Sequence, residues 1–323
     1  MGRRGFDALV DRFAPVGTPA ESPPSPASGA LSAEQAAALE KDGFLALPQI
    51  IPTSEVAYIR DTLMALHKNK AGFREGAQFD ALGTDDEGEP ARFPQILHPR
   101  VFAPGLRTTA FHRATFAIAK QVLGPGARFK ADISFLKPAG VGAATPWHQD
   151  EAFHDPRFEY REISFWLALQ PTDRKNGCME FIPGSHTWPV LEHGRPNGDG
   201  RMHALECVGD FDRSRAIACA LPSGGCSIHT QRTLHAAGPN TSAAPRLAYA
   251  LLYDLAPVPA TLSRSFPWLA SDQTARLARE KDWRRRGGFL IHAWRQRTRL
   301  RLDPGRVLAD LRGAAVAFRV LRS

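Results

Sequence analysis

Ile163-Ser-Phe-Trp-Leu-Ala-Leu169 changes character at every second position. Ile163, Phe165, Leu167 and Leu169 share one face, and Ser164, Trp166, Ala168 and Gln170 share the other. Strand side chains point alternately to opposite faces, so this is a strand with one apolar core face. Its second face is small and polar around a single ring, as a cavity wall would be. The same period returns in Phe129-Lys-Ala-Asp-Ile-Ser-Phe135, Cys178-Met-Glu-Phe181, Ala216-Ile-Ala-Cys-Ala-Leu221, Cys226-Ser-Ile-His229 and Arg246-Leu-Ala-Tyr-Ala-Leu-Leu-Tyr253. Turn signals separate these runs: Lys175-Asn-Gly177, Pro183-Gly-Ser185 and Pro222-Ser-Gly-Gly225. Short strands joined by turns predict an antiparallel sandwich or barrel with helices packed outside.

The helices are expected upstream. Ser32 followed by Gln35 is a capping-box pattern that opens a helix to about Lys41, broken by Gly43-Phe44. Val56, Ile59, Leu63 and Leu66 recur at helical spacing within a second helix, about 54–68. A third is expected over 106–123, ended by Gly124-Pro125-Gly126. Residues 14–30 are rich in Pro, Ala, Ser and Gly, and 1–30 read as a disordered leader. Segments 70–100 and 189–213 read as long polar loops, candidates for lids over a substrate.

The chain has 323 residues, 41 Lys and Arg, 33 Asp and Glu, and a formal net charge of +8. Residues 276–323 hold 14 of the basic residues and 4 of the acidic ones, so residues 1–275 carry a net −2. The basic excess therefore belongs to the end of the chain and says little about the reaction. The four cysteines form no CxxC pair, no stretch approaches a membrane span, and no secretory signal opens the chain. These features together place the chain in the cytoplasm with free thiols. No dinucleotide-binding, Walker A or GxSxG motif is present.

Trp147-His148-Gln149-Asp150 carries the first chemistry. On an extended segment His148 and Asp150 point to the same face, so an imidazole nitrogen and a carboxylate oxygen can reach one metal ion. His235 follows a later strand, and Arg246 stands 11 residues beyond it. Two histidines and a carboxylate make the facial triad of non-haem Fe(II) oxygenases, which leaves coordination positions open. An arginine fork near such a triad can hold a carboxylate bidentately. His154, His186 and His229 fit the triad spacing less well and read as structural or solvent-facing, with His154 in a loop bordering the substrate.

From about Leu31 to Asp254 the sequence resembles the phytanoyl-CoA dioxygenase family of Fe(II)/2-oxoglutarate oxygenases. The motifs that carry the resemblance run in order: LEKDGFLALPQIIPTSEV, FLKPAG ahead of WHQD, ISFWLAL, NGCMEFIPGSH and LHAAGPNTSAAPRLAY. The resemblance implies a mainly β fold with flanking α-helices, built on a double-stranded β-helix (jelly-roll, cupin-like) core. It implies His148, Asp150 and His235 as the iron ligands, Arg246 as the partner of the distal carboxylate of 2-oxoglutarate, and Trp166 beside that co-substrate. It further implies that O2 and 2-oxoglutarate are consumed, succinate and CO2 released, and a C–H bond of a small-molecule substrate hydroxylated. The chain departs from the family at Gly225-Cys226, often Gly-Asp, and at Ala237, often a small hydroxyl residue that touches the co-substrate. Related halogenases have Ala or Gly in place of the carboxylate, so Asp150 argues for hydroxylation or another oxidation and against halogenation.

Two other classes stand beside this reading. One is a catalytically silent jelly-roll scaffold that docks a partner through the basic C-terminal helix. The other is a cupin-like isomerase or hydrolase with another metal. The domain division expected is a leader over 1–30, a catalytic domain over 31–275 and a basic helical extension over 276–323. Within the extension, Val307, Leu308, Leu311, Ala315, Phe318 and Leu321 recur at helical spacing among arginines. Packing on the catalytic domain or a dimer partner is the expected role of segment 284–322. Contact with a membrane surface or acidic partner comes second, and nucleic acid third, since no aromatic-interleaved basic face accompanies the charge.

Overall fold

The structure, a computed structural model, describes residues 29–83, 85, 90–141, 143–270 and 274–288. Most of the leader expected over 1–30 and the amphipathic helix expected over 306–322 lie outside the described residues.

In chain order the elements begin with α1 (Ala33–Asp42), β1 (Phe44–Leu47), α2 (Thr53–Lys68), β2 (Gln78–Asp80), β3 (Pro94–Leu97), α3 (Pro99–Phe102) and α4 (Ala110–Leu123). Next come β4 (Arg128–Lys137), β5 (Thr145–His148), β6 (Phe158–Glu159), β7 (Glu162–Ala168), β8 (Met179–Phe181), β9 (His193–Gly194) and β10 (Glu206–Cys207). The last are β11 (Ile217–Cys219), β12 (Cys226–Thr230), β13 (His235–Ala237), β14 (Arg246–Asp254), β15 (Val258–Pro259) and α5 (Ala275–Arg285). A seven-stranded sheet runs β1-β12-β7-β14-β4-β3-β2, and a four-stranded sheet runs β11-β8-β13-β5. Every pairing within them is antiparallel.

The period-2 phase of β7 decides how the layers stack. Ile163, Phe165 and Leu167, with Ile228 of β12 and Leu247, Tyr249 and Leu251 of β14, bury one face of the large sheet against Val56, Ile59 and Leu63 of α2 and Phe111 and Ile118 of α4. Trp166 and Ala168 join Ala248 and Ala250 of β14 and face Met179, Phe181 and Ala237 of the small sheet. Helices therefore cover the outside, and in the inner layer the alanines of β7 and β14 leave space beside Trp166, Met179 and Phe181, as expected for a jelly roll.

The capping box forms: Gln35 N–H donates to the Ser32 hydroxyl, and the Gln35 side chain accepts from Ser32 N–H. The third helix begins later than expected. Residues 104–108 form a tighter turn, and the Thr109 hydroxyl accepts from His112 N–H to start α4. The loop expected over 70–100 holds β2 and β3, which extend the edge of the large sheet beyond β4, and α3 begins at its end. Strands this short carry little periodicity. Here the Asp80 carboxylate, accepting backbone N–H groups from Leu82, Arg92 and Phe93, organises the turn instead. Segment 189–213 likewise contains the β9–β10 pair with Leu205 and Cys207 buried. At the start of the basic segment, the Arg279 guanidinium of α5 donates to the carbonyls of Phe73 and Gln78 and pairs with Asp85.

All four cysteines are free and buried. No helix of the described residues is long and apolar enough to cross a membrane.

Candidate active site

His148 ends β5 and His235 opens β13, and the two are direct cross-strand partners with ring centroids 4.2 Å apart. Asp150 begins the tight turn that follows β5. Gln149, between them, points the other way. It is fully buried, its amide donates to the carbonyls of Pro189 and Arg232, and its oxygen accepts from Leu191 N–H. The alternation read from the HxD motif is thus realised, and Gln149 anchors it from behind. Glu151, also fully buried, pairs with both Arg232 and Arg264 and locks the turn that presents Asp150. Burial raises the Glu151 pKa, but the two guanidiniums outweigh it and hold the carboxyl below its ordinary range.

His148 Nδ1 lies 2.8 Å from the Pro146 carbonyl and His235 Nδ1 lies 2.8 Å from the Thr233 carbonyl. A carbonyl only accepts, so the proton of each neutral ring is on Nδ1 and the Nε2 lone pair is free. Both Nε2 atoms stand 3.7 Å from Asp150 Oδ1. His148, Asp150 and His235 each offer a donor atom within 4.8 Å of the others. Burial depresses both imidazole pKa values, which keeps the rings neutral. Burial would raise the Asp150 pKa, yet the three rings around it, His235 foremost and then His229 and His148, hold it far below the usual carboxylate range. Two neutral imidazoles and one carboxylate suit a divalent first-row metal such as Fe(II).

Arg246 lies across the same cavity, 1% exposed. Its guanidinium stacks 5.2 Å from the Trp166 ring, Nε donates to the Asn176 carbonyl at 3.4 Å, and Nη1 has no hydrogen-bond partner. Burial pushes its pKa down to about 9. Lys137, its cross-strand partner on β4, is also 1% exposed. The Lys137 ammonium donates to the carbonyls of Ala143 and Ala237, and burial together with Arg246 pushes its pKa down to about 6. No carboxylate of the described residues forms an ion pair with either side chain. A buried guanidinium without an acid is costly, so the Arg246 end of the cavity is built to receive an anion.

Lys137 carries a pH signature. Its folded-state pKa is depressed from 10.5 to about 6, so the unfolded chain binds the extra proton between those values. Stability of the ligand-free protein therefore gains a rising contribution as pH increases through that window. Urea unfolding across pH 7–10 is expected to show a flatter slope in Lys137→Met than in the wild type. Equal slopes would remove the titration from Lys137.

The structure brings His148, Asp150, His235, Arg246 and Trp166 to one cavity of about 420 Å³. His154 also lines it, as a loop residue bordering the substrate would. His186 does not: it packs beside Gly43, near the Glu40 carbonyl. Two lining or adjoining residues were missed in the sequence. Lys137 sits inside the FLKPAG motif on the inward phase of β4, two places from Phe135, and a lysine in that phase is the available signal. His229, read as structural or solvent-facing, instead lines the cavity and touches Asp150. The phase of β12 could have revealed it, since Cys226 and Ile228 take the core face and leave Ser227 and His229 facing inward.

The chain is 26% identical over 218 residues to a probable alpha-ketoglutarate-dependent hypophosphite dioxygenase of Stutzerimonas stutzeri, covering 65% of this chain and 74% of that protein. The crystal structure of EvdO2 from Micromonospora carbonacea var. aurantiaca, complexed with 2-oxoglutarate, is 32% identical, with a TM-score of 0.64 over 74% of this chain and 96% of that one. EctD from S. alaskensis in its apoform shares the fold at 22% identity, with a TM-score of 0.54 over 79% of this chain and 91% of that one. The family described as phytanoyl-CoA dioxygenase (PhyH) matches residues 39–248. With 2-oxoglutarate-dependent oxygenases among both its relatives and its structural neighbours, the chain belongs to the phytanoyl-CoA dioxygenase family of Fe(II)/2-oxoglutarate-dependent oxygenases.

Proposed function

We propose that this chain hydroxylates a C–H bond of a small molecule, with His148, Asp150 and His235 holding Fe(II) and with Arg246, Trp166 and Lys137 holding 2-oxoglutarate. The observation that carries this reading is the pairing of features on one cavity. Two free Nε2 lone pairs and a carboxylate oxygen converge on one side, and the buried Arg246 guanidinium, with no acid paired to it, stands on the other. Iron bound there supplies O2 activation coupled to oxidative decarboxylation of 2-oxoglutarate.

The chain's own contribution is orientation and exclusion of water. The Nδ1-to-carbonyl bonds fix both ligand rings, and Gln149 and Glu151 brace the segment between them. The Arg246 fork takes the distal carboxylate of the co-substrate, and Trp166 covers its guanidinium. The substrate meets apolar walls from Phe93, Leu97, Phe135, Phe153 and Leu252, with Glu162 and His154 as a polar patch. Glu162 is paired with Lys130, and burial still pushes its carboxyl up to about 7. A substrate with an apolar body and one hydrogen-bonding group fits those walls.

The test is succinate release. Protein loaded anaerobically with Fe(II) and 2-oxoglutarate, then exposed to O2 with a panel of small molecules, is expected to form succinate faster with its substrate than without. Iron-loaded protein that neither binds nor consumes 2-oxoglutarate would return the reading to a silent jelly-roll scaffold. Turnover that does not need O2 would favour an isomerase or hydrolase using another metal.

A further inference from the structure

Three histidines surround Asp150, and hydrogen bonding divides them into two kinds. His229 Nε2 lies 3.3 Å from Asp150 Oδ2, and Ser164 Oγ lies 3.3 Å from the same oxygen. Ser164 and His229 are cross-strand partners on β7 and β12, so the large sheet delivers both groups to one carboxylate oxygen. Asp150 Oδ1 is left to face His148 and His235.

The ring proton of His229 is placed by what surrounds it. A carboxylate oxygen only accepts, so His229 Nε2 carries the proton that meets Asp150 Oδ2. Its Nδ1 is buried with no hydrogen-bond partner, an arrangement a lone pair tolerates far better than an N–H would. His229 is therefore the opposite tautomer from His148 and His235, whose protons sit on Nδ1 against carbonyls. A protonated Nε2 has no lone pair to give a metal. The ring is also held in place, packed 4.4 Å from His235 and 5.5 Å from Phe181 by centroids.

We infer that His229 is a positioning residue for Asp150. With Ser164 it ties down Oδ2 and so turns Oδ1 toward His148 and His235, where these three residues would hold a metal. The inference rests on the reading of His148, Asp150 and His235 as metal ligands. Ser164, the cross-strand partner of His229, supplies the second donor of the same restraint from a side chain not packed between rings.

The experiment is an anaerobic Mn(II) titration of metal-free protein followed by electron paramagnetic resonance, on wild type, His229→Phe, His229→Gln and Ser164→Ala, with thermal unfolding of each. Outer partners of metal ligands are typically worth roughly 10- to 100-fold in affinity. His229→Phe is expected to lose that much, and Ser164→Ala less. Gln keeps an N–H donor without an imidazole lone pair, so His229→Gln is expected to recover much of the loss. His229→Leu replaces the Phe variant if the latter does not fold. Wild-type affinity in the folded Phe or Leu variant would overturn the inference. Loss in both Phe and Gln variants with no recovery would also overturn it, by making the ring itself a ligand. Wild-type protein that binds no Mn(II) would instead overturn the ligand set beneath it. As a second measurement, 15N resonances of the imidazoles are expected to show Nε2–H at His229 and Nδ1–H at His148 and His235; Nδ1–H at His229 would refute the assignment.

Discussion

Asp150→Ala is expected to abolish succinate formation while leaving the fold intact. The carboxylate is the only anionic donor among the three candidate ligands, and its loss leaves two neutral imidazoles to hold a dication. The loss of metal affinity should therefore exceed the roughly 10- to 100-fold typical of outer partners. Calorimetry provides a check that does not depend on turnover. A metal bound only to the native state stabilises it by about 2.7 kcal/mol at a hundredfold excess over Kd, so added Mn(II) should raise the wild-type Tm and leave that of the variant unmoved. Asp150→Asn separates charge from shape, because it keeps the size of the side chain and the Ser164 contact but removes the anion that His229 donates to. It should resemble Asp150→Ala in metal binding. If Asp150→Ala retains Mn(II) binding and turnover, the metal is held elsewhere and the triad is misassigned.

What the sequence disclosed and what it hid follow one physical line. Alternation over seven residues in 163–169 is long enough to define two faces, and both appear as read, with the core side under α2 and α4 and the tryptophan side within the cavity. The HxD pair is local, so strand geometry alone aligns it. Arg246 opens a nine-residue strand whose phase is clear in sequence, whereas His235 opens a strand of three residues and was found by its motif. β2 and β3 were hidden because strands of three and four residues lack a period and are held by the Asp80 carboxylate and by pairing with β4. His229 and Lys137 were hidden for a different reason. Their chemistry comes from what the sheets bring opposite them, Asp150 in one case and Arg246 in the other, and sequence separation says nothing about that.

Arg246→Met is expected to move function and stability in opposite directions. Truncating one partner of a buried, hydrogen-bonded charge pair typically costs about 2–5 kcal/mol, which corresponds to roughly 30- to 4000-fold weaker binding of 2-oxoglutarate. Without the co-substrate the same guanidinium is a liability. It is almost fully buried, its pKa is pushed down to about 9, and it sits beside the equally buried Lys137 with no acid paired to it. Methionine fills similar space on Trp166 without the charge, so urea unfolding of ligand-free protein should find the variant as stable as the wild type or more stable, by up to about 4 kcal/mol. Adding 2-oxoglutarate with Mn(II) should then reverse the order, because only the wild type gains the stabilisation of a bound co-substrate. Arg246→Lys keeps the charge but not the planar fork, so its 2-oxoglutarate affinity should fall between the two. An Arg246→Met protein that is destabilised without ligand would show that the guanidinium serves the fold rather than an anion. Undiminished 2-oxoglutarate binding would shift the anchor to another group, with Lys137, which a bound carboxylate would favour in its protonated form, the first to test.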